Sequence, residues 1–552
     1  MAHTPSWPAR DADHLLVDSA TMAELEERLF ASGLPVASLM EKAALAVSQR
    51  LLLEPPDEAV VLVGPGHNGG DGLVVARELH LAGIPVRIWA PFPHPKPLTD
   101  AHLRHALWLG IPRLEAPPEP EEGALWVDAL FGIGQRRPAG EAIESLLERR
   151  QETRPGRLVA IDVPTGLCAD SGRLLGRSAA HANRTYCLGL IKRGLLQDSA
   201  LRWVGELIRL DLGLPSSLLA PLSINTPRSL GPGDRPLAPW PPEDPAASKY
   251  QRGRLLVVAG SLHTRGAAQL ALSGASASGC GSLRAAVPAP IAEGLWSVHP
   301  HVVLEGSTLA TPCGSLALAS LPESWLDRLD AVLLGPGIGT PRDEQDGREE
   351  AERWGELQSF PGLLVLDADG LNRLAHRSAT EREPAVWLAG RAGPTWITPH
   401  AGEFARLFPA LADLPPLEAA AQAAESCAAA VLLKGARSVV AAPDGRRWQL
   451  RTAAPAVARA GLGDVLAGYS AGMGARAWAA RRGTSGLDAS LLAAAALDHA
   501  SAGLMSNVSK HPWENREANT TPQGVAQSLG LLSPGEPGNI DDGSNTIPVR
   551  DR

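Results

Sequence analysis

Two glycine-rich loops hold the residues whose types and spacing suit chemistry, GHNGGDG at 66–72 and AGLGD at 460–464. The first follows the apolar run EAVVLVG and leads into the helical run GDGLVVARELHLAG, so it lies where a strand turns into a helix. Glycine permits positive φ there and lets backbone amides approach a phosphate, and the helix N-terminus adds its dipole. A tight turn needs the glycines but neither Asn68 nor Asp71. In the second loop the amides of Gly461, Leu462 and Gly463 are expected to point at one spot, beside Asp464 in the first helical turn. Amides at a helix N-terminus stabilise anionic oxygens, and a carboxylate beside them can take the proton of a hydroxyl attacking a phosphate.

Further polar groups recur where apolar runs end. Asp128 stands in VDALFGIGQRRP, and Asp162 and Thr165 stand in IDVPTGL. Each aspartate alone reads as a helix cap or turn residue. With Asn68 they fall together at strand ends, where open parallel sheets bind ligands, and an oxygen-only set of low charge suits a hard cation rather than zinc. The second half repeats the pattern in GSLHTRGAA, GPGIG, LDADGLN, TPHAGE and LKGARS. Lys434 suits a nucleotide phosphate. His400 reads equally as a structural group or a ligand contact, and Asp367 and Asp369 as magnesium ligands or helix caps.

The elements that must position these residues alternate between β-rich and helical runs, as in βαβ units around a parallel sheet. A helix is expected from Asp18, with Thr21 and Glu24 as a capping box and Gly33 as its stop. The 552 residues exceed one ordinary core, and proline crowds the stretch before Ser248. The expected division is an α/β domain over 15–215, a linker over 216–247, a second α/β domain over 248–530 and a disordered tail over 531–552. Apolar residues at 44% and charged residues at 20% suit a folded protein. No apolar run approaches the roughly 20 residues of a membrane span. The N-terminus lacks a secretory pattern, and five scattered cysteines suggest free thiols in the cytoplasm. A net charge of −9 argues against non-specific nucleic-acid binding.

GHNGGDG, VDALFGIG, DVPTGL and CLGLIKRGLL, with GELIRLDLGLP downstream, resemble the NAD(P)H-hydrate epimerase domain over nearly the whole first half. The resemblance implies a Rossmann-like three-layer fold. It implies that His67, Asn68, Gly69, Gly70 and Asp71 hold the substrate dinucleotide with Gly132, Ile133, Gly134, Gln135, Arg136, Arg137, Pro138 and Asp162. It also implies a potassium site at Asn68, Asp128 and Thr165. The family commonly has Asn where His67 stands and Ser where Thr165 stands; threonine keeps the hydroxyl. Asp162 is taken as the base.

From about Ser248 to Gly503 the chain resembles the NAD(P)H-hydrate dehydratase domain, a ribokinase-like fold. This implies that Ala267, Gly337, His400 and Asp464 contact the hydrated dinucleotide. Lys434, Gly435, Ala436, Arg437, Ser438 and Gly463 would hold ADP, used with magnesium. The family usually has Thr or Ser where Leu462 stands and Gly where Ala460 stands. The joint expectation is repair of hydrated NADH and NADPH: the first domain interconverts the R and S hydrates. The second dehydrates the S hydrate with Asp464 as base, giving AMP and phosphate. The substrates are small molecules, and a homo-oligomer is expected. The alternatives are a small-molecule kinase fused to an inactive domain, and a nucleotide sensor without turnover.

Overall fold

The computed structural model describes residues 7–532 except 242, 341–349, 378–382, 454–457, 481–486 and 507–519. The expected tail therefore lies, from 533 onward, outside the described residues. The chain forms two compact units, one spanning Ala9–Ser229 and the other taking Leu230 onward together with Trp7 and Pro8.

The first unit is built on seven strands in the order Arg113–Leu114, Val86–Trp89, Ala59–Val63, Leu125–Ala129, Leu158–Ile161, Arg184–Leu188 and Glu206–Leu210. Every pairing is parallel. Ala59–Val63 and Leu158–Ile161 are unbroken apolar runs, buried throughout, as strands covered on both faces must be. Helices Val36–Leu53, His67–Leu81 and Pro97–Trp108 cover one face, and Glu141–Thr153 the other. That makes three layers. The chain leaves Ala59–Val63 in one direction and returns through Leu125–Ala129 to build the other, so the loops after these two strands flank a topological switch point.

Helix Ser19–Ala31 begins one residue after Asp18, whose carboxylate accepts from Thr21 N at 2.8 Å. The cap is thus Asp18 rather than the expected Thr21–Glu24 box, because an aspartate already stands at the extended position before the first turn.

The second unit holds a ten-stranded sheet in the order Arg228–Leu230, Arg447–Leu450, Val439–Ala441, Ala430–Leu433, Thr395–Ile397, Leu363–Leu366, Ala331–Leu334, Arg254–Val258, Ser282–Pro288 and Val303–Thr308. Its pairings are parallel from Val303–Thr308 to Ala430–Leu433, and the next two are antiparallel. Helix Leu462–Ala480 is buried on nearly every side, at the centre of the core.

The proline-dense stretch 216–247 is not featureless. Helix Ser216–Leu219, strand Arg228–Leu230 and the 3-10 helix Pro232–Leu237 lie in it. Leu230 O accepts from Arg451 N at 2.7 Å, and buried Arg235 pairs with Asp498, which accepts from Tyr469 Oη at 2.6 Å. Proline suits edge strands and first helical turns, so its density marks ordered edges here as well as a connection. Among the described residues no helix is long and apolar enough to cross a membrane.

Candidate active sites

The first site grows from the switch point. Helix His67–Leu81 starts without a side-chain cap, leaving its amides at the loop. A Cβ on Gly69 would lie 2.0 Å from Gly64 O, so the helix can start this close to the strand end only with glycine there. The loop walls a cavity of about 870 Å³ whose lining includes His67, Asn68, Asp71, Asp162 and all seven residues 132–138. Most of the expected dinucleotide residues therefore meet in one place. Gly69 and Gly70 do not line it; a Cβ on Gly70 would lie 2.6 Å from Met40 Cε, which shows that this glycine faces a neighbouring helix.

Asp128 and Thr165 lie in direct contact and fully buried. Thr165 N donates to Asp128 Oδ2 and Thr165 Oγ1 to Oδ1, both at 2.8 Å, and Leu130 N donates to Oδ1 at 3.2 Å. Burial pushes the Asp128 carboxyl up to about 6 against these hydrogen bonds, and among the described residues no cationic side chain pairs with it. Asn68 Nδ2 is buried without a partner. A carboxylate lacking a countercharge among neutral oxygens fits a monovalent hard cation.

Asp162 holds φ at +67°, uncommon outside glycine. Its Oδ1 accepts from Lys192 Nζ at 2.6 Å and its Oδ2 from Ile133 N at 3.2 Å. Lys192 is 1% exposed and also donates to Leu188 O at 2.6 Å. Burial lowers the lysine, but Asp162 and then Cys187 raise it further, and the net shift is upward. Asp71 is raised well above the usual carboxylate range by burial and then by Asp162 and Glu26. Burial lowers His67, helped by Lys96.

Lys192 and Glu26 were missed by the motif reading. A lysine inside the apolar run LGLIKRGLL was a signal, since a charge there needs a partner. Glu26 gave none, standing among Glu24 and Glu27 on an ordinary amphipathic helix.

In the second unit the expected loops follow the carboxyl ends of adjacent parallel strands. A Cβ on Gly337, at φ +61°, would lie 2.6 Å from Ala267 Cβ, so these two predicted contacts touch. Gly463 lies beside Lys434, its notional Cβ 3.4 Å from Nζ. Lys434 Nζ donates to Asp367 Oδ1 at 2.7 Å, which also accepts from Thr398 Oγ1 at 2.7 Å. Asp369 accepts from Gly339 N at 2.8 Å. Both aspartates thus accept hydrogen bonds from protein donors. Asp464 is pushed up to about 7, chiefly by burial and then by Asp367, with Lys434 opposing.

His400 caps helix Ala401–Leu407: its Nδ1 accepts from Gly402 N at 2.9 Å while Glu403 Oε2 accepts from His400 N at 2.9 Å. Its Nε2 lies 3.2 Å from Glu403 Oε1, and the side chain is 56% exposed. Gly435 and Ala436 are exposed, Arg437 is buried, and Ser438 Oγ accepts from Gly435 N at 3.3 Å, closing that turn. The expected three-amide cradle is reduced, because Leu462 N already donates to Arg459 O at 3.3 Å. The reason is packing: Leu462 is drawn into the core, which turns its amide into the preceding turn.

Fold and sites together define a fused pair of α/β nucleotide-handling enzymes. The family described as YjeF-related protein N-terminus matches residues 36–194, and that described as NAD(P)H-hydrate dehydratase matches 255–512. A protein of Synechocystis sp., named bifunctional NAD(P)H-hydrate repair enzyme Nnr, is 42% identical over 86% of this chain and 87% of its own. A protein of the same name from Gloeobacter violaceus is 43% identical over 82% and 87%. A solved Bacillus subtilis structure, described as ADP/ATP-dependent NAD(P)H-hydrate dehydratase co-crystallized with ATP/Mg2+, is 23% identical, covers 54% of this chain and 95% of its own, and has a TM-score of 0.40. The chain belongs to the family of bifunctional NAD(P)H-hydrate repair enzymes. Its fold is a Rossmann-like parallel-sheet domain followed by a ribokinase-like α/β domain.

Proposed function

We propose that the first domain interconverts the R and S hydrates of NADH and NADPH, and that the second dehydrates the S hydrate at the expense of ADP, yielding AMP and phosphate. The observation that carries this is the pairing, at each set of strand ends, of a glycine loop with a carboxyl group held in the range where protons move near neutrality.

In the first domain the amides of the GHNGGDG loop and residues 132–138 would take the dinucleotide. Potassium, held by Asn68, Asp128 and Thr165, would supply the countercharge Asp128 lacks and fix the loops after both switch-point strands. In the second domain Asp464 takes the proton of the hydrate hydroxyl as that oxygen attacks the terminal phosphate of ADP. Lys434 and the Gly463 amide stabilise the charge on the transferring group. Departure of phosphate then restores the ring double bond, far more readily than departure of hydroxide. Magnesium would travel with the phosphates of the nucleotide, with Asp367 and Asp369 at the neighbouring strand end. The enzyme would work in the cytoplasm, where thiols such as Cys168, Cys187, Cys280 and Cys427 stay reduced.

Mixed R and S hydrates supplied with ADP, magnesium and potassium are expected to be consumed completely, yielding reduced dinucleotide and AMP. A stable phosphorylated alcohol as product overturns the reading. Asp464→Asn is expected to keep nucleotide binding while turnover falls by orders of magnitude. Equal epimerisation rates in sodium alone would remove the potassium role.

A further inference from the structure

Among the described residues, two carboxyl groups in the wall of the first cavity, Glu26 and Asp71, have no hydrogen-bond or ion-pair partner. Glu26, on helix Ser19–Ala31, lines the same cavity as Asp71, Asp162 and residues 132–138. Among the described residues its side chain makes no hydrogen bond and no ion pair within contact distance. An acid turned into a cavity without a partner costs stability and contributes nothing to packing. Lys96, Arg136 and Arg137 line the same cavity, and the charged groups that act on Glu26 most directly arrive from three other elements. Lys192 comes from strand Ile191–Lys192, Asp162 from the end of Leu158–Ile161, and Asp71 from helix His67–Leu81.

Glu26 and Asp162 thus share one lysine, and that lysine is committed to Asp162 at 2.6 Å. Burial, with Asp162 adding to it and Lys192 opposing, pushes Glu26 up to about 7. Carboxyl groups in one site whose surroundings differ in this way are the means by which an enzyme keeps an acid and a base side by side.

We propose that Glu26 is a proton-transferring residue of hydrate epimerisation, working with Asp162 from a different wall of the cavity. The proposal rests on reading the first domain as the epimerase. In a hydrate the hydroxyl-bearing ring carbon is bonded to the ring nitrogen. Protonated Glu26 donates to that hydroxyl, the carbon–oxygen bond breaks, and water leaves with the electron pair. The nitrogen lone pair forms the carbon–nitrogen double bond. Water then adds to the opposite face, the nitrogen recovers its pair, and the proton released by the incoming water passes to the Asp162 carboxylate. One water is lost and one gained, nothing is oxidised or reduced, and return of the proton from Asp162 to Glu26 through solvent resets the site. The reverse direction exchanges the two roles.

The test uses the full chain without ADP, so that only interconversion is read, starting separately from each purified hydrate of NADPH. The wild type is expected to equilibrate either epimer. Glu26→Gln keeps the shape and removes the proton, and kcat is expected to fall about 100-fold or more with KM changed only a few-fold. Glu26→Asp is expected to recover part of the rate, and the limb of the pH profile near neutrality is expected to vanish in the glutamine variant. A Glu26→Gln enzyme with wild-type melting temperature that stays within threefold of the wild-type kcat and keeps its pH profile overturns the proposal. Should Glu26→Gln unfold, Glu26→Leu decides: a folded variant with wild-type kcat and pH profile overturns it equally. If the wild type fails to equilibrate either epimer, the epimerase reading falls, and this proposal with it; the two failures are therefore told apart.

Discussion

Replacing Lys192 by methionine removes the cation paired with Asp162 behind the first cavity while keeping the apolar volume of its stem. Lys192 is 1% exposed, and its ammonium satisfies two buried acceptors, Asp162 Oδ1 and Leu188 O, each at 2.6 Å. Breaking a buried pair from one side leaves the other charge uncompensated, which costs about 3–5 kcal/mol. For a domain of this size each kcal/mol lowers the melting temperature by about 2–4 °C, so the first unit is expected to melt about 6–20 °C lower. The lysine is raised from its ordinary 10.5, so the pair is intact below that pH and is lost only as pH rises through the higher folded-state value. The drop is therefore expected to be equal at about pH 6 and about pH 9. Scanning calorimetry of the full chain resolves it, provided the transition of the second unit stays in place as an internal reference. The double variant Lys192→Met with Asp162→Asn is expected to regain part of the loss, since no charge is then stranded. A single variant that melts within about 2 °C of wild type, or a double variant no better than the single, refutes the reasoning.

Three further outcomes are expected. Asp464, pushed up to about 7, must be ionised to act as a base, so dehydratase kcat/KM is expected to climb about tenfold per pH unit below 7 and level off above it; a flat profile from about pH 5 to 8 excludes Asp464 as that base. The same upward shift makes the second unit lose stability as pH rises from 3.8 through about 7, which urea titration across that window reads directly. In the first unit Gly69→Ala places a Cβ 2.0 Å from Gly64 O, a backbone atom that cannot yield, so a loss of at least about 1–3 kcal/mol and weakened hydrate binding are expected. Unchanged melting and binding in that variant would mean the loop is not built on this contact.

The strand-end residues were legible because a parallel sheet fixes where its loops go. Alternating apolar runs place every βα turn on one side, so Asn68, Asp71, Asp162 and the 132–138 loop were bound to meet once the sheet formed. Glu26 was not legible, because what brings it to the cavity is the seat of helix Ser19–Ala31 over the strand ends. Nothing in the helix pattern distinguishes it from Glu24 or Glu27. Partner choice was equally hidden. Sequence shows that Lys434 and Asp367 each follow a strand, but only the adjacency of those loops makes them a 2.7 Å pair. The Leu462 amide went astray for a different reason: a large apolar side chain in a small-residue loop is recruited by the core, and the backbone turns with it.

The seating of Trp7 bears on how the protein comes apart. Trp7 Nε1 donates to Asp234 O at 2.9 Å, Trp7 O accepts from Trp448 Nε1 at 3.2 Å, and both partners belong to the second unit. The chain therefore enters and leaves Ala9–Ser229 from the same body, as an inserted domain does. When the first unit unfolds inside an intact second one, its chain is a closed loop of roughly 220 residues rather than a free strand, and such closure removes on the order of 5 kcal/mol of disorder from the unfolded state. The benefit reaches only as far as the tryptophan anchor holds, which makes a few residues at the start of the chain a fastening for a domain to which they do not belong.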